Sequence, residues 1–144
     1  MRLAGKVFKA GKYWAIEVPI LSVTTQGRTK KEAYEMIADA IESLVNKKGF
    51  KIEVFPGKED YFEVDSSDLA ALASFLLRRQ RTKKGLTLME VSKRLGAKSI
   101  NSYARYEQGK SVPTIEKFSK LLSALSPERD FVLLESKSTC RQIP

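Results

Sequence analysis

The chain has 144 residues, 26 Lys and Arg against 17 Asp and Glu, a formal net charge of +9, and 42% hydrophobic residues. That length and apolar content admit one large or two small packed domains. With no His and a single Cys, it lacks the commonest general base and metal ligand, which argues against a zinc site or other metal cofactor and excludes an intramolecular disulfide.

No apolar run approaches the roughly 20 residues of a membrane span. The opening MRLAGKVFKAGKYW has no apolar signal core. A cytoplasmic protein is expected, with no cofactor and no membrane partner. Cys140 lies in a polar tail and is given no role.

Residues 7–9 and 13–18 are rich in β-formers and flank Gly11, which predicts a hairpin. In the second run Trp14, Ile16 and Val18 alternate with Tyr13, Ala15 and Glu17, so one set should face a core. Pro19 stops the strand, and residues 21–25 form a candidate third strand before the turn at Gln26-Gly27. Thr29 and Glu32 have capping-box spacing. Ala33, Ile37, Ala40, Ile41 and Leu44 then mark one helical stripe ending near Val45, before Lys48-Gly49. Residues 51–55 read as a strand, and 61–64 as a short final one. The main order is β-β-β-α-β, an α+β domain with one helix on a small sheet.

Pro56-Gly57 and the DSSD run at 65–68 punctuate the join to a second, helical domain. The expected division is 1–64, 65–128, and a strand and tail over 129–144. Residues 68–81 place Leu69, Leu72, Phe75 and Leu76 at helical spacing and then turn basic through Arg78, Arg79, Arg81, Lys83 and Lys84 up to Gly85.

The stretch TLMEVSKRLGAKSINSYARYEQG (87–109) is the most informative. Thr87 and Glu90 form a second capping-box pair. Leu88, Val91 and Leu95 make a buried stripe, and Gly96 suits a left-handed helix cap. Ser99 is the candidate N-cap of the next helix. Ile100, Tyr103 and Ala104 should face inward, leaving Lys98, Ser99, Asn101, Ser102 and Arg105 on or near the outside. A short helix, a tight turn and a second helix with a polar outer face form the layout of a helix-turn-helix. Asn and Arg match adenine and guanine edges in the major groove. The candidate DNA contacts are Thr87, Lys98, Ser99, Asn101, Ser102, Arg105, Lys110 and Ser111. A loop at Gly109–Pro113 leads to a last helix with Ile115, Phe118, Leu121, Leu122 and Leu125 apolar.

Charge supports this placement. Residues 65–125 hold 12 Lys and Arg against 5 Asp and Glu, a net +7; residues 1–64 hold 11 against 9, a net +2; residues 126–144 hold 3 against 3. The positive excess sits on the candidate reader, where phosphates would be neutralised.

The combination resembles the HicB antitoxins. The first half carries the match in VPILSVTTQGRTKKEAYEMIADAIESL, with Gly27, Glu32-Ala33 and Ala40-Ile41 in the family's pattern. The second half carries it in GAKSINSYARYEQGKSVPTIEKFSKLL, similar to the repressor-type helix-turn-helix of one branch. Leu88 stands where the common repressor pattern has Gln, which leaves backbone positioning to Thr87 and helix N–H groups. The resemblance implies a partial RNase H-like fold without catalysis in the first domain. It also implies an antitoxin that covers a HicA-like, RNA-cleaving toxin and represses its own operon through double-stranded operator DNA. Tyr13 and Trp14, as aromatic anchors, and Glu17, the one acidic residue of the first three strands, are the candidate toxin contacts. No enzymatic activity is expected, since cleavage with two metals needs several converging carboxylates. The alternative is a stand-alone helix-turn-helix regulator whose first domain senses a ligand or protein.

Repressor-type readers act as dimers on paired half-sites. Phe131–Leu134 forms a strand-like apolar run after Pro127. It is expected either to pair with its copy in a homodimer or to pack back on the helices.

Overall fold

Alternating burial along the first strands builds a sheet with one face packed and one face open. The computed structural model describes residues 1–136; Cys140 and the tail around it lie outside that range. β1 (Leu3–Ala10) buries Leu3 and Val7, and β2 (Tyr13–Val18) buries Ile16 and Val18. They pair antiparallel with Val7 opposite Ile16 and Lys9 opposite Trp14.

The third strand starts later than its composition predicts. Pro19–Leu21 forms a 3-10 turn closed by Ser22 in the left-handed region at φ 52°, and this turn drives Leu21 into the core. β3 therefore runs Val23–Gly27. α1 (Lys30–Val45) begins at the Thr29 cap, whose hydroxyl accepts the Glu32 N–H, and buries Ala33, Ile37 and Ile41. Gly27 is required where β3 meets this helix: a Cβ there would lie 2.4 Å from the Ala33 nitrogen. The helix ends at Val45, as its spacing predicts, with Asn46 in the left-handed region as its cap.

β4 (Glu53–Pro56) and β5 (Tyr61–Asp65) complete the sheet in the order β3-β2-β1-β5-β4, every pair antiparallel. The topology is β-β-β-α-β-β, one strand more than the main order read from sequence. β5 is an interior strand between β1 and β4, with Leu3 and Val54 both opposite Val64. Its acidic residues are unexpectedly buried. Glu63 accepts from Arg2 Nη1 at 3.1 Å and from the Tyr61 hydroxyl at 2.6 Å, and bonds Ser136 Oγ. The bond to Glu63, then burial, push the Tyr61 hydroxyl up to about 12.

Among the described residues the chain divides into two compact units, Met1–Leu69 with residues 134–136, and Ala70–Leu133. The second unit contains the helices α2 (Leu69–Lys83), α3 (Leu88–Arg94), α4 (Ile100–Glu107) and α5 (Ile115–Leu125). Its core gathers Leu72, Phe75, Leu76 and Leu77 of α2, Val91 of α3, Tyr103 and Ala104 of α4, and Leu121, Leu122 and Leu125 of α5. Ile115 is 88% exposed and Leu69 45% exposed. Both sit in the first turn of their helices, outside the stripe their spacing implied. Residues 131–136 form no strand in the single chain. No helix among the described residues is long and apolar enough to cross a membrane.

Candidate nucleic-acid interface

The turn between α3 and α4 is fixed by its backbone bonds. Gly96 adopts φ 65°. Its N–H donates to Lys93 O, and the Ala97 N–H donates to Ser92 O. This paired closure is a Schellman motif, and it needs the left-handed residue that glycine supplies without a Cβ clash. α4 closes the same way, with Gly109 N–H to Tyr106 O and Lys110 N–H to Arg105 O. At the other end of α3, Thr87 Oγ1 accepts from Glu90 N at 3.1 Å and Glu90 Oε2 accepts from Thr87 N at 2.7 Å. The Thr87 backbone N–H first, and the Thr87 side chain second, hold the Glu90 carboxyl below its ordinary pKa. The predicted capping box is present in full.

α4 separates a buried side from a polar one. Tyr103 and Ala104 are buried, whereas Asn101, Ser102 and Arg105 are exposed. Ser99 caps the helix by accepting from Asn101 N at 3.2 Å, and Ser102 Oγ donates to Ser99 O at 2.8 Å. The side-chain amide of Asn101 has no partner among the described residues. Arg105 Nε donates to Ser111 Oγ at 3.3 Å, and the Arg105 carbonyl accepts the Lys110 and Ser111 N–H groups. Arg105, Lys110 and Ser111 therefore gather at the end of α4, and Lys98, Ser99, Asn101 and Ser102 at its start. Thr87 sits apart, at the start of α3. All eight lie at the surface, with only Ser111 partly covered. Ile100, expected to point inward, is 38% exposed instead, because Ser99 sets the helix start so that Tyr103 takes the core position.

The helix is anchored from below by a buried network that composition did not reveal. Arg81 Nε and Nη2 donate to Glu107 Oε1 and Oε2 at 2.7 and 3.1 Å, and Arg81 Nη1 donates to Leu86 O at 2.9 Å. The Tyr103 hydroxyl donates to Glu107 Oε1 at 2.7 Å. The bonds to Glu107 raise the Arg81 pKa further. Burial, reinforced by Glu107, raises that of Tyr103 strongly. Arg81 thus ties α2, the loop before α3, and α4 together, and is not a surface phosphate contact. The i,i+4 spacing of Tyr103 and Glu107 was the one local signal of this arrangement. Lys84 pairs with Glu128, and Arg94 donates to Ala124 O at 2.9 Å. Part of the basic excess is therefore spent inside the unit.

The residues singled out on the sheet do not form one patch. Tyr13 and Glu17 lie on the face opposite α1, where Tyr13 is diagonal to Phe8 and both are exposed. Trp14 is on the other face, half-buried, with Lys9 Nζ 5.4 Å and Lys30 Nζ 5.7 Å from its ring centroid. Those lysines occupy the ring as cation–π partners.

Residues 77–126 match the helix-turn-helix family model, a span running from within α2 to just past α5. The unit is a repressor-type helix-turn-helix, and the class it defines is that of DNA-binding transcription regulators. No curated protein matches the chain.

Proposed function

We propose that this chain is an antitoxin and autorepressor. In this reading α4 enters the major groove of the chain's own operator, and the sheet unit binds and blocks a small basic, RNA-cleaving toxin of the HicA type. It has no catalytic step. The observation that carries the DNA half is the outward polar surface of α4, with Asn101, Ser102 and Arg105 exposed above buried Tyr103 and Ala104. Asn101 has the donor and acceptor to read an adenine edge, and Arg105 the fork to read guanine. Lys98, Lys110, Ser111 and Thr87 would contact phosphates and set the register.

The toxin half rests on the HicB-like sequence pattern of the first unit. The close approach of Gly27 to Ala33 gives two residues of that pattern a physical reason. The face bearing Phe8, Tyr13 and Glu17 supplies exposed aromatic area for a partner.

The test has two arms. In binding assays on the DNA upstream of its own gene, Asn101→Ala should cost about 1–3 kcal/mol at one base position and relax the preference there. Lys110→Ala should weaken binding to all sequences alike. If both variants bind as the parent does, α4 is not the reader. Separately, a small basic protein from the neighbouring reading frame should co-purify with the chain, and Tyr13→Ala should weaken that association. Absence of such a partner would remove the antitoxin half and leave a DNA-binding regulator.

A further inference from the structure

The two edges of the sheet are finished differently. At one, β4 is four residues long, opens on exposed Glu53 and ends in Pro56, which has no N–H. Short length, charge and proline are the devices that keep an edge strand from pairing further. At the other, β3 reads Val-Thr-Thr-Gln-Gly, with no charge and no proline.

The register shows which main-chain groups of β3 are open. In β1 the Val7 N–H donates to Asp60 O, on the β5 side. Main-chain bonds alternate from side to side along an antiparallel strand. Lys6, Phe8 and Ala10 therefore bond to β2, and Trp14, Ile16 and Val18 bond onward to β3, where they meet Gly27, Thr25 and Val23. The N–H and C=O groups of Thr24 and Gln26 are left on the outer edge, with no partner among the described residues.

A row of apolar side chains overhangs that edge. The close approach of Gly27 to Ala33 holds α1 over β3. Tyr34 meets the Phe62 ring of β5, centroids 5.6 Å apart, and so marks the flank of α1 turned toward the far strands. At about 3.6 residues per turn, Met36 lies about 160° round from Tyr34, above the outer edge of β3. Met36, Ala40 and Leu44 follow at four-residue spacing on that flank, beside the core stripe of Ala33, Ile37 and Ile41. Met36 is 38% exposed and Leu44 44%, and Ala40 is half-buried. Beyond this row, Glu35 and Asp39 are exposed and have no ion-pair partner among the described residues.

We propose that the outer edge of β3 docks a β-strand of a protein partner, with apolar side chains toward α1 and basic residues around them. An extended main chain is what satisfies a row of strand-edge donors and acceptors. The strand's inward side chains cover Met36, Ala40 and Leu44, and its lysines or arginines meet Glu35 and Asp39. Its other side chains extend the open face toward Tyr13, two strand spacings or about 10 Å away. For the partner's identity this rests on the toxin-binding reading of the sheet unit, whereas the edge is testable without it.

The probe is a displayed library of random nine-residue peptides, selected on the full chain. Peptides that bind should alternate apolar residues and carry Lys or Arg. Thr24→Pro removes one outward N–H and no bond within the sheet, and should weaken them about tenfold. Thr24→Val keeps that N–H and should bind as the parent does, which assigns the loss to the main chain. Met36→Lys, at an exposed position outside the core, should weaken binding by a similar factor and serves if the proline variant does not fold. Residue-resolved amide exchange should show Thr24 and Gln26 newly protected in the complex, with Val23 and Thr25 unchanged.

Peptides indifferent to both Thr24→Pro and Met36→Lys overturn the proposal, as does a library that yields no binder. Protection of Thr24 and Gln26 in the chain alone, rising with its concentration, assigns the edge to a second copy and overturns it too. The basic protein of the neighbouring reading frame should protect the same two amides. If it binds and leaves them unprotected, the toxin reading stands and the edge proposal falls. If the peptides bind at the edge and no such protein does, the edge stands and the toxin reading falls.

Discussion

Ser92 is buried on α3 and its hydroxyl has no hydrogen-bond partner among the described residues. A buried donor left unmatched costs about 1–3 kcal/mol, and Ala has a higher helix propensity. Ser92→Ala should therefore stabilise the helical unit by about 1 kcal/mol, seen as a raised thermal midpoint. An unchanged or lowered midpoint would mean that the hydroxyl is satisfied in solution.

Glu107 presents the opposite situation. It is 6% exposed and meets both Arg81, 17% exposed, and Tyr103. Removing its charge leaves a guanidinium largely out of water, so Glu107→Gln should cost about 3 kcal/mol by urea denaturation. Replacing both partners with apolar residues, Arg81→Met with Glu107→Leu, should recover much of that loss. Neither residue's role could be read locally. Arg81 belongs to a basic run that looks like a phosphate-binding surface, and its partner lies 26 positions away. Glu63 is hidden in the same way, since Arg2 and Ser136, which bond it, are 61 and 73 positions distant.

At the level of elements, what is local was legible. The capping box at Thr87, the stop at Gly96 and the Ser99 cap all arise within a few residues of chain, and all occur; at Thr29 the hydroxyl cap forms, but the Glu32 carboxylate accepts from Arg28 N rather than from Thr29 N. β3 starts two residues later than β-propensity predicts because Pro19 begins a turn that propensity does not report. β5 reads in sequence as a short final strand, whereas pairing with β1 and β4 on both sides makes it interior.

The α3 cap has a pH signature. Glu90 has its carboxyl pKa lowered from 4.5, first by the backbone bond from Thr87 and then by the Thr87 side chain. A depressed folded pKa contributes stability that is present above the unfolded value and is lost as pH falls through the folded one. Glu90→Gln should therefore lower stability at neutral pH. The deficit should fade on acidification below about pH 4.5, as the parent protonates too. Thr87→Ala, which removes the hydroxyl acceptor, should cost about 1 kcal/mol at neutral pH. Paired thermal scans of the parent and Glu90→Gln at neutral and acid pH would check the sign. A deficit of constant size would show that the carboxylate charge is not what holds the cap.

For the whole molecule, net charge predicts where nucleic acid binds better than how tightly. The +7 over residues 65–125 overstates the cations available to phosphates, because Arg81 and Lys84 are paired with carboxylates and Arg94 caps a carbonyl. Salt dependence can separate the two groups. Each phosphate neutralised on duplex DNA contributes about −0.9 to the slope of log affinity against log salt. Lys110 is exposed and has no carboxylate partner among the described residues. Lys110→Ala should then flatten the slope by about 0.9 for each chain bound, and by about 1.8 for a dimer on paired half-sites. Lys84→Ala should leave the slope nearly unchanged, since its ammonium already faces Glu128. The same titration reports stoichiometry: a flattening near 0.9 with mass data showing a dimer would mean that only one reader helix engages DNA at a time.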